Sequence, residues 1–161
     1  MGCTWRIRLR GAVGALGALA VLGTGCVDVS GGAVEFPWAI FARDGRAITD
    51  CACADPPIAY VALALVSEAD GSDPCAFAAS CRFTCGRKIG ATPFFIPPGS
   101  YQMSIVPMDG TLNVLPTVDT VPPVVREVAR GQPTELDAFM LTASCADRCN
   151  GGSPTQPCSG G

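Results

Sequence analysis

Apolar residues recur at every second position over much of the chain, the period of half-buried strands rather than of helices. Val34, Phe36, Trp38 and Ile40 alternate with Glu35, Pro37, Ala39 and Phe41, which predicts a strand with one strongly apolar face. Pro37 places that strand at a sheet edge, because proline has no N–H to give to a central ladder. Residues 58–66 (Ile-Ala-Tyr-Val-Ala-Leu-Ala-Leu-Val) are apolar on both faces, with Val61, Leu63 and Leu65 on the bulkier one. They predict a strand near the middle of a sheet, a short buried helix being the competing reading. Phe77, Ala79, Cys81, Phe83 and Cys85 line one face of a third strand, with both cysteines pointing inward. Further strands are predicted over residues 92–96, 100–107, 121–128 and 134–142. They are separated by Pro97-Pro98-Gly99, Asp109-Gly110 and Arg130-Gly131-Gln132-Pro133, which are turn signals.

No stretch has a convincing amphipathic helical period. About seven short strands in one domain predict an all-β fold, a single antiparallel β-sandwich. The run Phe94-Phe95-Ile96-Pro97-Pro98-Gly99-Ser100-Tyr101-Gln102-Met103-Ser104-Ile105 resembles the PPG-x-Y turn and strand of carboxypeptidase-regulatory-like and transthyretin-like domains. That resemblance implies an immunoglobulin-like or prealbumin-like sandwich, commonly an accessory module without chemistry of its own.

The chain ahead of these strands reads differently. Arg6, Arg8 and Arg10 form a basic stretch, residues 11–22 an apolar one, and Gly23-Thr24-Gly25 a run of small residues, the three-part layout of a secretory signal. A spanning helix needs about 20 apolar residues, and this stretch is shorter and interrupted by Gly11, Gly14 and Gly17. Leu22-Gly23-Thr24-Gly25-Cys26 resembles the lipobox of bacterial lipoproteins. The resemblance implies cleavage before Cys26 and diacylglycerol on its sulfur, hence a membrane partner reached through lipid. Val27 stands where some lipoproteins carry an aspartate for inner-membrane retention, which implies delivery to the outer membrane.

The expected organisation is a signal over residues 1–25, a lipidated N-terminus and tether over 26–32, a sandwich over 33–145, and a Gly/Ser/Pro-rich, cysteine-containing tail over 146–161. As a flexible coil the six residues after Cys26 reach about 13 Å, so the folded part is expected close to the bilayer.

Cysteine parity bears on the cleavage chemistry. The ten cysteines stand at 3, 26, 51, 53, 75, 81, 85, 145, 149 and 158. Losing the signal removes Cys3, and lipidation occupies Cys26, leaving eight that can pair completely. Ordinary signal-peptidase cleavage would leave one odd thiol in an oxidising compartment. Cleavage after residue 25 of 161 leaves 136 residues, enough for one domain. It also leaves eight basic against fourteen acidic side chains, a net charge of −6, which disfavours a nucleic-acid partner.

Cys51, Cys53, Cys75, Cys81, Cys85, Cys145, Cys149 and Cys158 are the candidate disulfide cysteines. An extended Cys51-Ala52-Cys53 would place two sulfurs on one face. The preferred pairing joins Cys51 and Cys53 to Cys81 and Cys85, with Cys145, Cys149, Cys158 and Cys75 stapling the tail. Zinc is disfavoured, since the chain has no histidine and no Cys-x-x-Cys, and a thiol oxidoreductase wants that same motif. Glu68, Asp70, Ser72 and Asp73 offer a weak calcium candidate, centred on Asp70 and Asp73, against the commoner reading of an acidic turn.

Without histidine, the usual serine or cysteine hydrolase lacks its base. No Gly-x-Ser-x-Gly or phosphate-cradling loop occurs, and no cofactor is implied. Trp38, Tyr60 and Tyr101 are the candidates for stacking on a sugar, with core packing the competing reading for Trp38. The expectation is a non-catalytic, lipid-anchored envelope protein acting as a structural or binding module. A carbohydrate-binding or adhesion module and a periplasmic enzyme are the alternatives, and an envelope protein or a glycan the possible partner.

Overall fold

The computed structural model describes residues 29–149 and 157–159; the signal and Cys26 lie outside them. The described chain is all-β, with ten strands in two sheets and no α-helix among the described residues. The strands are β1 Ala33–Ala42, β2 Ala54–Asp55, β3 Tyr60–Ser67, β4 Arg82–Thr84 and β5 Ile89–Ala91. They continue with β6 Gly99–Met108, β7 Asp119–Thr120, β8 Val124–Val128, β9 Pro133–Glu135 and β10 Phe139–Cys145. One sheet runs β2-β10-β1-β5, with β7 on β10 and β9 on β1; the other runs β4-β3-β6-β8.

The alternating pattern of β1 forms as its residues require. Val34, Phe36, Trp38 and Ile40 are buried while Glu35, Pro37, Ala39 and Phe41 are half-buried. Full burial of such side chains is worth about 1.5–3 kcal/mol each. The Trp38 indole keeps its polar edge satisfied by donating from Nε1 to the Cys85 carbonyl at 3.2 Å. Across the interior, Phe36 meets Phe83 of the other sheet edge-on, ring centres 5.4 Å apart. With Val61, Leu63 and Leu65 of β3, Met103 and Ile105 of β6, and Phe139 and Leu141 of β10, these residues form one core shared by both sheets.

Several elements differ from the sequence pattern, each for a physical reason. β1 is a central strand, not an edge, and it pairs in parallel with β9 and β10, so its sheet is mixed rather than antiparallel. Pro37 is tolerated because the neighbour changes beside it. Glu35 pairs with Glu135, whereas Trp38 pairs with Phe139. Three residues, 136–138, therefore face two, 36–37, and this bulge divides the strand expected over 134–142.

The strand expected over 92–96 does not form; the strand lies just ahead of it, at Ile89–Ala91. Thr92 still donates its N–H to the Val34 carbonyl and accepts the Val34 N–H on its side-chain Oγ1, but Pro93 then turns the chain away. The strand expected from Phe77 onward is reduced to Arg82–Thr84. Before it, the chain is a loop closed by the Cys75–Cys81 bridge, and Phe77, expected inside, is 98% exposed.

Candidate interaction surfaces

Because β1 and β10 run in parallel, their C-terminal ends lie together, and most of the cysteines gather there. Asp50 caps the turn Cys51–Cys53 by accepting the Ala52 N–H on its side chain. The segment is a 3₁₀ turn, not the extended strand expected, so its sulfurs part company. Cys51 bonds Cys85, half of the preferred pairing.

Cys53 bonds Cys149 instead, because the chain that follows it pairs with β10. Ala54 lies opposite Cys145, and the Ala146 N–H donates to the Cys53 carbonyl at 2.8 Å. Cys81 bonds Cys75, which Asp73 holds beside β3 by accepting the N–H groups of both Leu65 and Cys75. Cys145 bonds Cys158, and residue 158 is fully buried and exchanges backbone hydrogen bonds with Ala47 and Thr49.

The eight cysteines of the described residues thus form four disulfides. Lys88, the one lysine of the chain, donates to Cys51 Sγ at 3.3 Å beside this cluster. Burial holds its pKa below the ordinary lysine value, partly offset by Asp50.

The calcium candidates are occupied within their own turn. Asp70 accepts both the N–H and the hydroxyl of Ser72, and the hydroxyl is the main reason its carboxyl sits below the usual carboxylate range. The Asp73 carboxylate faces Leu65 and Cys75. Among the described residues no three His, Cys, Asp or Glu side chains converge in a way that could hold a metal, and no helix is long and apolar enough to cross a membrane.

Of the three stacking candidates, Trp38 and Tyr101 are core residues. The Tyr101 hydroxyl donates to the Pro97 carbonyl at 2.9 Å, tying β6 to the Pro97-Pro98-Gly99 turn, and burial raises its pKa. Tyr60 is half-buried and lines a cleft of about 230 Å³ with Ala79, Arg82 and Leu112.

That cleft belongs to a larger surface that the sequence pattern did not reveal. The residues that point away from the core are apolar along β3, at Ala62, Ala64 and Val66, and at the far end of β6, at Val106 and Met108, while Ser100, Gln102 and Ser104 occupy the rest of β6. A cleft of about 290 Å³ lies among Ser104, Val106, Val114, Pro116, Val121 and Pro123. A second, of about 210 Å³, shares Val106 and Val114 and includes Ala62, with Asp73 and Arg82 its only charged groups. Val66, Val114 and Val125 are exposed on or beside this face, and Phe77 stands at its edge on the bridged loop. The signal available in the sequence was Asp73-Pro74-Cys75 followed six residues later by Cys81, which marks a closed loop rather than a strand.

The opposite end of the molecule is where the described chain begins. The Gly32 N–H donates to the Ile96 carbonyl at 2.8 Å, the Ile96 N–H returns to Gly32, and the Gly131 N–H donates to Gly31. A Cβ on Gly31 would lie 2.7 Å from Ile96 O and Phe95 C, so only glycine lets the chain pass this close. Beside it Pro93, Phe94, Pro97 and Pro98 are exposed, over a buried Ile96. Comparisons with protein families, curated proteins and solved structures return no match for this chain.

Proposed function

We propose that the chain is a non-catalytic lipoprotein of the bacterial cell envelope, anchored by diacylglycerol on Cys26 and delivered to the outer membrane. The observation that carries this reading is the closed disulfide set. Eight cysteines pair among themselves, so Cys26 is left over for a different chemistry, as the lipobox-like Leu22-Gly23-Thr24-Gly25 before it implies. Four bridges also suit an exported protein, since thiols stay reduced in the cytosol. The shared core of the two sheets supports an immunoglobulin-like or prealbumin-like sandwich.

In this reading the module binds a partner through the outer face of the four-stranded sheet, where the clefts and Phe77 lie. Exposed apolar side chains gathered around clefts are a mark of interaction surfaces. Fractionation tests the anchor: a Cys26→Ser variant is expected in the soluble periplasmic fraction, and its persistence in membranes overturns the proposal.

A carbohydrate-binding or adhesion role is the second reading, favoured by Tyr60 beside Arg82 in a cleft. An aromatic face with a hydrogen-bonding neighbour is what a sugar ring requires. It predicts glycan-array binding that a Tyr60→Ala variant loses; binding unchanged in that variant removes Tyr60 from the role.

A further inference from the structure

The end of the domain where the chain emerges carries an inference about orientation. Residues 89–108 contain no Asp, Glu, Lys or Arg, and the loop within them that flanks Gly31 and Gly32 exposes Pro93, Phe94, Pro97 and Pro98. Phe94 is 42% exposed. It is held out from a firm base, since Ile96 is fastened to Gly32 by paired backbone hydrogen bonds and Thr92 to Val34 by its N–H and its Oγ1. A few residues away, the turn Ala129-Arg130-Gly131-Gln132 grips Gly31 and Ala33 from the other side. Its Arg130 is exposed and makes no ion pair among the described residues.

The length of chain outside the described residues fixes what this end can meet. Three peptide units separate Cys26 from Val29, and fully extended they span about 10 Å. A lipid on Cys26 therefore brings the bilayer surface to the loop that flanks Gly31 and Gly32. The far end of β6 lies about 30 Å away, well beyond that reach.

We propose that the Pro93–Pro98 loop is a second, non-covalent contact with the lipid bilayer, with Phe94 seated at the boundary between headgroups and acyl chains. This inference rests on lipidation of Cys26. The chemistry is apolar rather than ionic. Arg130 is a single cation, and the neighbouring turn carries Glu68 and Asp70, so the contact does not depend on anionic lipid. An aromatic ring in the interface adds a marginal affinity of its own, but on a domain already tethered it acts as an intramolecular contact and sets orientation. The outer face of the four-stranded sheet is then held upright, at right angles to the membrane and open to a partner.

Depth-dependent fluorescence quenching tests this. Phe94→Trp and Val114→Trp variants of the full chain are expressed, extracted from membranes, and reconstituted in phosphatidylcholine vesicles containing brominated phosphatidylcholine. Both positions are exposed, so thermal melting is expected to match the parent. The buried Trp38 supplies the unquenched background.

The inference expects emission from Trp at position 94 to shift to the blue and to be quenched severalfold more than from position 114, with the same result when anionic lipid is added. Equal quenching at both positions, in protein whose intact mass carries lipid on Cys26, overturns the bilayer contact and leaves the anchor standing. Extracted protein with no lipid on Cys26 overturns the anchor and this inference with it.

Discussion

The two ends of this molecule are held together by different means. At the end where β1 and β10 terminate, the described chain outside the strands is irregular: residues 43–53, 109–118 and 146–149 have little ladder hydrogen bonding. Three of the four disulfides lie there.

At the end where the described chain begins, β8 and β9 are joined by a tight turn, and none of these three disulfides lies there. Reciprocal backbone hydrogen bonds and the close passage of Gly31 and Gly32 do the holding. Covalent bonds stand where the backbone cannot pair with itself, because they remove unfolded-state entropy that ladder bonding would otherwise have to offset. The end nearest the expected anchor is instead closed by hydrogen bonds, chiefly of the backbone, with Thr92 and Tyr101 adding theirs.

The largest expected effect is at the stapled end. Cys53–Cys149 spans 96 residues and Cys75–Cys81 only 6. On the chain-entropy account, a Cys53→Ala/Cys149→Ala variant loses about 4–5 kcal/mol and a Cys75→Ala/Cys81→Ala variant about 2 kcal/mol. Urea unfolding of the two variants measures the order; equal losses would break the account of what the staples do.

The anchored end gives a smaller effect of another kind. Gly32→Ala would put a Cβ 2.5 Å from the Ala129 carbonyl oxygen, whereas at Gly110, beside the stapled end, a Cβ meets nothing within 4 Å. Overpacking of that sort costs about 1–3 kcal/mol, so Gly32→Ala is expected to melt below the parent and Gly110→Ala to melt with it. If the two behaved alike, close backbone approach would not be what closes the anchored end.

How much of this was legible follows from where tertiary contacts overrule local pattern. β1, β3 and β6 were readable because one face of each is buried along its whole length, so period two survives intact. Cys51–Cys85 was among the expected pairings, although the extended Cys51–Cys53 pair it was argued from is a 3₁₀ turn. Cys53–Cys149 was not, since it depends on Ala54 pairing with β10, a contact between distant segments.

Phe77 looked like a core residue because it falls in register with Phe83. The Cys75–Cys81 bridge breaks that register, and the period-two pattern masked the close spacing of the two cysteines. Pro37 was misplaced for a similar reason: a bulge on a neighbour nearly a hundred residues away excuses its missing N–H. The outer apolar face stayed hidden because residues 58–66 read as buried on both sides, while the structure covers the second side only in part.

The smallest effect is in acid. The Asn113 backbone N–H and the Thr111 hydroxyl hold the Asp109 carboxyl down to about 2, from 3.8. A depressed carboxylate stabilises the fold above its unfolded value, and that contribution disappears as pH falls from about 4 towards 2. Melting of an Asp109→Asn variant is therefore expected to vary less than the parent over that interval. Asp70, at the other end, is lowered for a similar reason, so Asp70→Asn is expected to move in the same direction. A parent and Asp109→Asn variant with parallel pH profiles would contradict the assigned hydrogen bonds.

The central claim, that eight cysteines close the fold and leave Cys26 for lipid, is tested most directly by one measurement. Protein extracted from membranes is alkylated without reduction, and its intact mass and peptide map are recorded. The account predicts a mature N-terminus at Cys26 carrying diacylglycerol, no alkylated thiol, and cross-linked peptides joining 51 to 85, 53 to 149, 75 to 81 and 145 to 158. An alkylated, unmodified Cys26, or a mature chain beginning elsewhere, would contradict it.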